Sequence, residues 1–94
     1  MNENDKQKLY QLFPYLKGNA DAWIDGEGKA HDINNEDRFP NIYLKNCYKM
    51  VLKDDAGAAN HFTDEESKAY VKKIFKEKLK ELKKEIKKRK IKID

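Results

Sequence analysis

Three segments of this chain carry apolar residues at helical spacing. Leu9, Leu12, Phe13 and Leu16 recur three and four residues apart behind a polar start, residues 2–5, whose side chains suit a helix N-cap. Pro14 lacks an N–H and clashes with the preceding turn, so this first helix is expected to end or kink near Phe13, with Gly18 and Asn19 closing the unit. A second helix presents Tyr43, Leu44, Cys47, Tyr48, Val51 and Leu52 on one face, and Phe39 and Pro40 open it, with Pro40 in the first turn where its missing N–H costs nothing. The polar stretch DDAGAAN, residues 54–60, reads as the loop that follows.

The third helix has the sharpest start signal. Thr63 and Glu66 fit a capping box, in which the Thr63 hydroxyl accepts the Glu66 N–H and the Glu66 carboxylate returns to the Thr63 N–H. Asp64, Glu65 and Glu66 also suit the positive end of the helix dipole. The stripe Tyr70, Val71, Ile74, Phe75, Leu79, Leu82, Ile86 follows, and its last part is spaced 4-3-4 as in a coiled-coil seam. Glu85 and Arg89 make a supporting i, i+4 pair, and Ile91 and Ile93 sit in a lysine-rich tail that is expected to fray.

Between the first two helices the pattern changes. Trp23 and Ile24 precede Asp25-Gly26-Glu27-Gly28, whose residues accept a positive φ at little cost, and alternation continues to Ile33, which predicts a short β-hairpin. An isolated hairpin is barely stable in water, so Trp23 and Ile33 are expected against the helices. The expected fold is therefore mostly α: three helices over about 5–17, 38–53 and 64–90, a small β-hairpin between helices one and two, and a long C-terminal amphipathic helix. Residues 1–94 make one small domain, a helix-hairpin-helix body over 1–62 and a basic helix over 63–94. The first two helices look too short to cover the third, so Phe75, Leu79, Leu82 and Ile86 are expected in a subunit or partner contact, either self-association as a homodimer through the C-terminal helix or docking of another chain.

Charge is unevenly divided. Residues 64–94 hold 13 Lys/Arg against 7 Asp/Glu, and the first 63 residues hold 8 against 10, so a slightly acidic body carries a basic helix. This split points to binding through charged surfaces. Lys83, Lys84, Lys87, Lys88, Arg89 and Lys90 are the candidate contacts for a polyanion. Glu77, Glu81 and Glu85 interrupt the tract, and the same lysines also suit a solvated helix face. Asp25, Glu27 and Asp32 form an acidic turn that could instead meet a basic partner.

Catalytic and cofactor signatures are weak. His31, His61 and Cys47 have no paired spacing of the kind that zinc sites use, and Cys47 falls on the apolar face of helix two as a small core residue. Gly26 and Gly28 are not a nucleotide fingerprint, and the acids near the hairpin lack a calcium-loop pattern. One cysteine permits no intrachain disulfide, and no apolar run approaches the roughly 20 residues that span a bilayer. These features lead to the expectation of a non-enzymatic cytoplasmic protein without metal or cofactor, engaging a host protein or protein complex, or nucleic acid, and no membrane.

The stretch Trp23, Asp25-Gly26, Ile33 and Tyr43-Leu44-Lys45-Asn46 resembles a pattern in short phage proteins, where a Trp, an Asp-Gly turn and an Ile precede a Leu-x-Asn helix. The likeness covers about a quarter of the chain, and the gap between Ile33 and Leu44 is longer here. It implies a phage-encoded inhibitor or adaptor that acts on a host enzyme or defence complex by stoichiometric binding, with Trp23 and Ile33 structural and Asn46 tying helix to hairpin. The alternative is a nucleic-acid-binding accessory protein that uses the basic C-terminal helix.

Overall fold

The computed structural model describes residues 1–18 and 21–92. Asn19, Ala20, Ile93 and Asp94 lie outside the described residues, among them Asn19, expected to close the first unit, and Ile93, expected in the tail. Helix α1 spans Glu3–Leu12, the antiparallel strands β1 and β2 span Ala22–Ile24 and Ala30–Asp32, and helices α2 and α3 span Asn41–Ala58 and Glu65–Lys88. Three helices, an intervening hairpin and a long C-terminal helix are thus the architecture that the apolar spacing predicts.

The boundaries follow local chemistry, with four corrections. The Asn2 side chain caps α1 by accepting the Asp5 N–H at 2.8 Å. Helix α1 stops at Leu12 with Phe13 as its C-cap, the break expected at Pro14, and Pro14–Leu16 form a separate 3-10 turn, so the helix does not run on to residue 17. Pro40 is the N-cap of α2 and not a first-turn residue. The expected loop at 54–60 is instead helical, through Ala58 in α2 and then a 3-10 turn, Ala59–His61. Ala58 is 1% exposed and the Asp54 carboxylate is held by Tyr15, so tertiary contacts outweigh the poor helix propensity of this stretch. The cap of α3 lies one residue later than the Thr63–Glu66 box: Asp64 accepts the Ser67 N–H at 3.0 Å, while Thr63 and Glu66 are exposed. Ser67 is favoured at this register because its buried hydroxyl also donates to Asp5 of α1, at 2.9 Å.

The core is a single cluster. Leu44, Cys47, Val51 and Ala58 of α2 lie among its buried residues together with Val71, Phe75, Leu82 and Ile86 of α3. Helix α1 adds Leu9, the chain around the Pro14 break adds Phe13, Tyr15 and Leu16, and the hairpin adds Trp23 and Ile33. Phe13 meets Phe75 edge-on, with centroids 5.1 Å apart, and Ser67 meets Asp5, so α1 runs beside the first half of α3 in the same sense. The second half of α3 is met by the exit of β2 and the start of α2, through Ile33 and Phe39.

This covering places the residues expected in a self-association contact inside the chain's own core. Phe75 and Leu82 are fully buried and Ile86 is 2% exposed inside their own chain, and Leu79 is half-buried against the same core. The 4-3-4 spacing marks an intramolecular seam, because α2 is longer than the sequence suggested and the hairpin reaches the far end of α3. Three other apolar assignments also change: Leu12, placed in the apolar stripe of the first helix, is 41% exposed, and Tyr43 and Leu52, placed on the apolar face of α2, are 37% and 44% exposed.

Helix α3 ends in a hydrogen-bonded cap that includes Ile91. The Lys90 N–H bonds the Lys87 carbonyl and the Ile91 N–H bonds the Ile86 carbonyl, each at 3.1 Å, with Lys90 at φ +57°. This is a Schellman motif, and Ile91 supplies its hydrophobic contact by packing on the core.

Candidate functional site

Two surfaces carry unexplained chemistry. The first is a groove between the Pro14 break, the hairpin and α2. Because the chain turns at Pro14, Tyr15 points inward and its ring stacks on Trp23, with centroids 4.6 Å apart and planes 7° from parallel. The Tyr15 hydroxyl donates to Asp54 Oδ2 at 2.6 Å and joins the 3-10 turn to α2. Phe39 meets Trp23 on one side and Tyr43 on the other, at centroid distances of 6.4 and 4.6 Å. These rings make a rigid floor. The groove over it encloses about 460 Å³, and Leu12, Tyr43 and Met50 are among its walls. Those three side chains are 41%, 37% and 43% exposed, an unusual concentration of large apolar surface on a chain with so high a charge content. Asp25 and Asp54 also line it. A second depression of about 560 Å³ shares Pro14, Ile24, Asp25 and Gly26 with the first and extends toward Gln7 and Tyr10.

The hairpin acids divide between structure and surface. Asp25 organises its own turn: one oxygen accepts the N–H groups of Glu27 and Lys29, each at 2.9 Å, and the other lies 2.8 Å from His31 Nε2. The His31 contact and the turn N–H groups hold this carboxyl below the usual carboxylate range. Asp32 accepts the Asn34 N–H at 2.9 Å where the chain leaves β2. Glu27 is exposed. Asn46, which the phage resemblance implies as a tie to the hairpin, is instead exposed on the groove wall.

Cys47 lies at the bottom of the groove, 4% exposed, and burial pushes its thiol up to about 12, which suppresses thiolate chemistry. Among the described residues no group of three His, Cys, Asp or Glu side chains is placed to hold a metal ion, and no helix is long and apolar enough to cross a membrane.

The second surface is the outer face of α3. At 3.6 residues per turn, Lys72, Lys76, Lys83 and Lys87 fall in one row and Lys73, Lys80, Lys84 and Lys88 in a second, within an arc of about 160°. All eight are exposed. The acids that seemed to interrupt the tract mostly lie elsewhere. Glu85 is 3% exposed and Glu81 is half-buried, leaving Glu77 as the exposed acid between Lys72 and Lys88.

Arg89 does not belong to this surface, which corrects its assignment as a partner contact. Its side chain is 2% exposed and pairs with Glu85 at 2.7 Å. Its guanidinium also donates to the Ile33 carbonyl at 2.9 Å and to the Phe39 carbonyl. Among the other sequence candidates, Lys83, Lys84, Lys87, Lys88 and Lys90 are exposed. The sequence reading missed Lys72, Lys73, Lys76 and Lys80, and it missed Leu12 and Met50 of the groove. For the lysines and Met50 the signal was periodicity, since they sit opposite the apolar stripe of their helix or at its edge, whereas Leu12 belongs to the stripe itself and is exposed only because the chain breaks at Pro14.

No family model, curated protein or solved structure matches the chain.

Proposed function

We propose that this protein is a non-enzymatic binding module, an inhibitor or adaptor that engages a macromolecular partner stoichiometrically through the groove beside Pro14. The observation that carries this reading is the rim of exposed Leu12, Tyr43 and Met50 over the stacked Tyr15 and Trp23. Aromatic and Met side chains on a rigid floor are the usual anchors of protein interfaces, because they give large contact area at low entropic cost. Asp25 and Asp54 favour a partner segment that carries an apolar anchor beside basic residues. The resemblance to short phage proteins implies a host enzyme or defence complex as that partner.

The test compares wild type with Leu12→Asp/Met50→Asp. Both positions are substantially exposed, so the variant keeps its helical circular dichroism and melting temperature. The reading expects a discrete complex of fixed stoichiometry by native mass spectrometry after capture from host cells, lost in the variant. Equal capture by both proteins, or turnover of a substrate by either, contradicts it.

A further inference from the structure

We infer that the outer face of α3 is a docking surface for the phosphate backbone of duplex DNA, independent of base sequence. Burial sorts the charges of this helix. The alternation of Lys and Glu in the sequence suggests a mixed surface, yet Glu85 is drawn inward to Arg89 and Glu81 is half-buried, so water meets two rows of lysines with Glu77 as the exposed acid among them. The rows extend from Lys72 to Lys88, about 24 Å at 1.5 Å per residue. Duplex DNA carries one phosphate charge for about every 1.7 Å of its axis. A straight rod with two rows of cations can follow the two phosphate rails that border a groove, and each lysine that neutralises a phosphate releases counterions.

The composition of the face selects among polyanions. Its exposed residues include no Arg, Asn or Gln, and a lysine ammonium is a point charge without their planar paired groups, so contact is directed to the backbone more than to base edges. No fully exposed aromatic stands on α3 to stack unpaired bases, which disfavours single strands. The large exposed apolar side chains, Leu12, Ile42, Tyr43, Met50 and Leu52, all lie off α3, so the helix has no apolar anchor with which to enter a membrane interface. No groove-lining residue belongs to α3, so this surface stands or falls separately from the groove.

The test is fluorescence anisotropy with a labelled random-sequence DNA duplex of about 20 base pairs over a salt series, starting at about 20 mM. Wild type is expected to bind with log K falling against log salt at a slope of about −4, roughly 0.9 for each phosphate contacted. Lys76→Gln/Lys80→Gln/Lys83→Gln/Lys87→Gln is expected to lose at least about tenfold in affinity and most of the slope, with an unchanged melting temperature. Lys17→Gln/Lys29→Gln/Lys49→Gln/Lys53→Gln removes the same charge from exposed positions off the face and is expected to bind nearly as wild type. The inference is overturned by an absence of binding at the lowest salt, or by equal losses in the two variants. Tighter binding to an RNA duplex, to phosphatidylserine vesicles or to polyglutamate than to DNA also overturns it.

Discussion

Glu85 and Arg89 form an ion pair 2.7 Å long in which both side chains are almost wholly excluded from water. The pair is one turn apart on α3, a spacing worth a few tenths of a kcal/mol on an exposed helix face. Here the guanidinium also holds the carbonyls of Ile33 and Phe39, so it links the end of the hairpin, the start of α2 and the last turn of α3. Removing one partner of a buried, hydrogen-bonded pair leaves an uncompensated charge and costs about 3–5 kcal/mol. Arg89→Gln is therefore expected to lose a large part of the domain's stability, whereas Lys88→Gln, one residue away and exposed, changes it by less than about 0.5 kcal/mol. Urea unfolding followed by circular dichroism separates the two. Similar midpoints for both variants would refute the clamp.

Lys90 holds the left-handed position of the Schellman motif at φ +57°, a conformation that glycine adopts without steric cost. Lys90→Gly is expected to stabilise the protein by about 0.5–1 kcal/mol, the relief of backbone strain exceeding the added freedom of the unfolded chain. A lower unfolding midpoint would show that the lysine side chain itself supports the cap.

Lys78 is 3% exposed and donates to the Ala22 carbonyl of β1 at 2.6 Å. Burial lowers its ammonium from 10.5 to about 8, against the opposing pull of Asp21 and Glu81. A lysine whose folded pKa is depressed binds fewer protons in the folded than in the unfolded state between those two values, so stability rises with pH across that window. Below about pH 8 both states are charged and the burial penalty on the folded state is fully present. Unfolding free energy measured from pH 7.5 to about 9.5 should rise in wild type and rise less in Lys78→Met. Parallel profiles would mean that Lys78 keeps its ordinary pKa.

Cys47 combines near-complete burial with a thiol pushed up to about 12. Alkylation by iodoacetamide at pH 8 is expected to be at least about tenfold slower in the folded protein than in urea. Equal rates would place the thiol at the surface.

Much of the fold was legible because apolar spacing and Pro14 are local signals. Leu9, Phe13, Leu44, Val51, Phe75 and Leu82 are all in the core, and the Asp25–Gly28 turn closes the hairpin. What was not legible depended on long-range contacts. The helical course of 54–60 rests on Tyr15 reaching Asp54, 39 residues away, and the burial of Arg89 rests on carbonyls about 50 residues away. The register of the α3 cap rests on Ser67 finding Asp5. The two candidate surfaces were half legible. Lysines could be counted, but which glutamates stand among them is decided by burial, and the groove exists only where Pro14, the hairpin and α2 meet.

The groove reading is tested most directly by photo-crosslinking from its rim. A photoreactive methionine analogue at Met50, inside the groove wall, is compared with photoreactive leucine at Leu52, which is equally exposed but lies outside it. In host cells the account predicts one discrete crosslinked species from position 50, of constant stoichiometry, and none from position 52. Crosslinks of equal yield from both positions, or none from position 50, would contradict a partner seated over Tyr15 and Trp23.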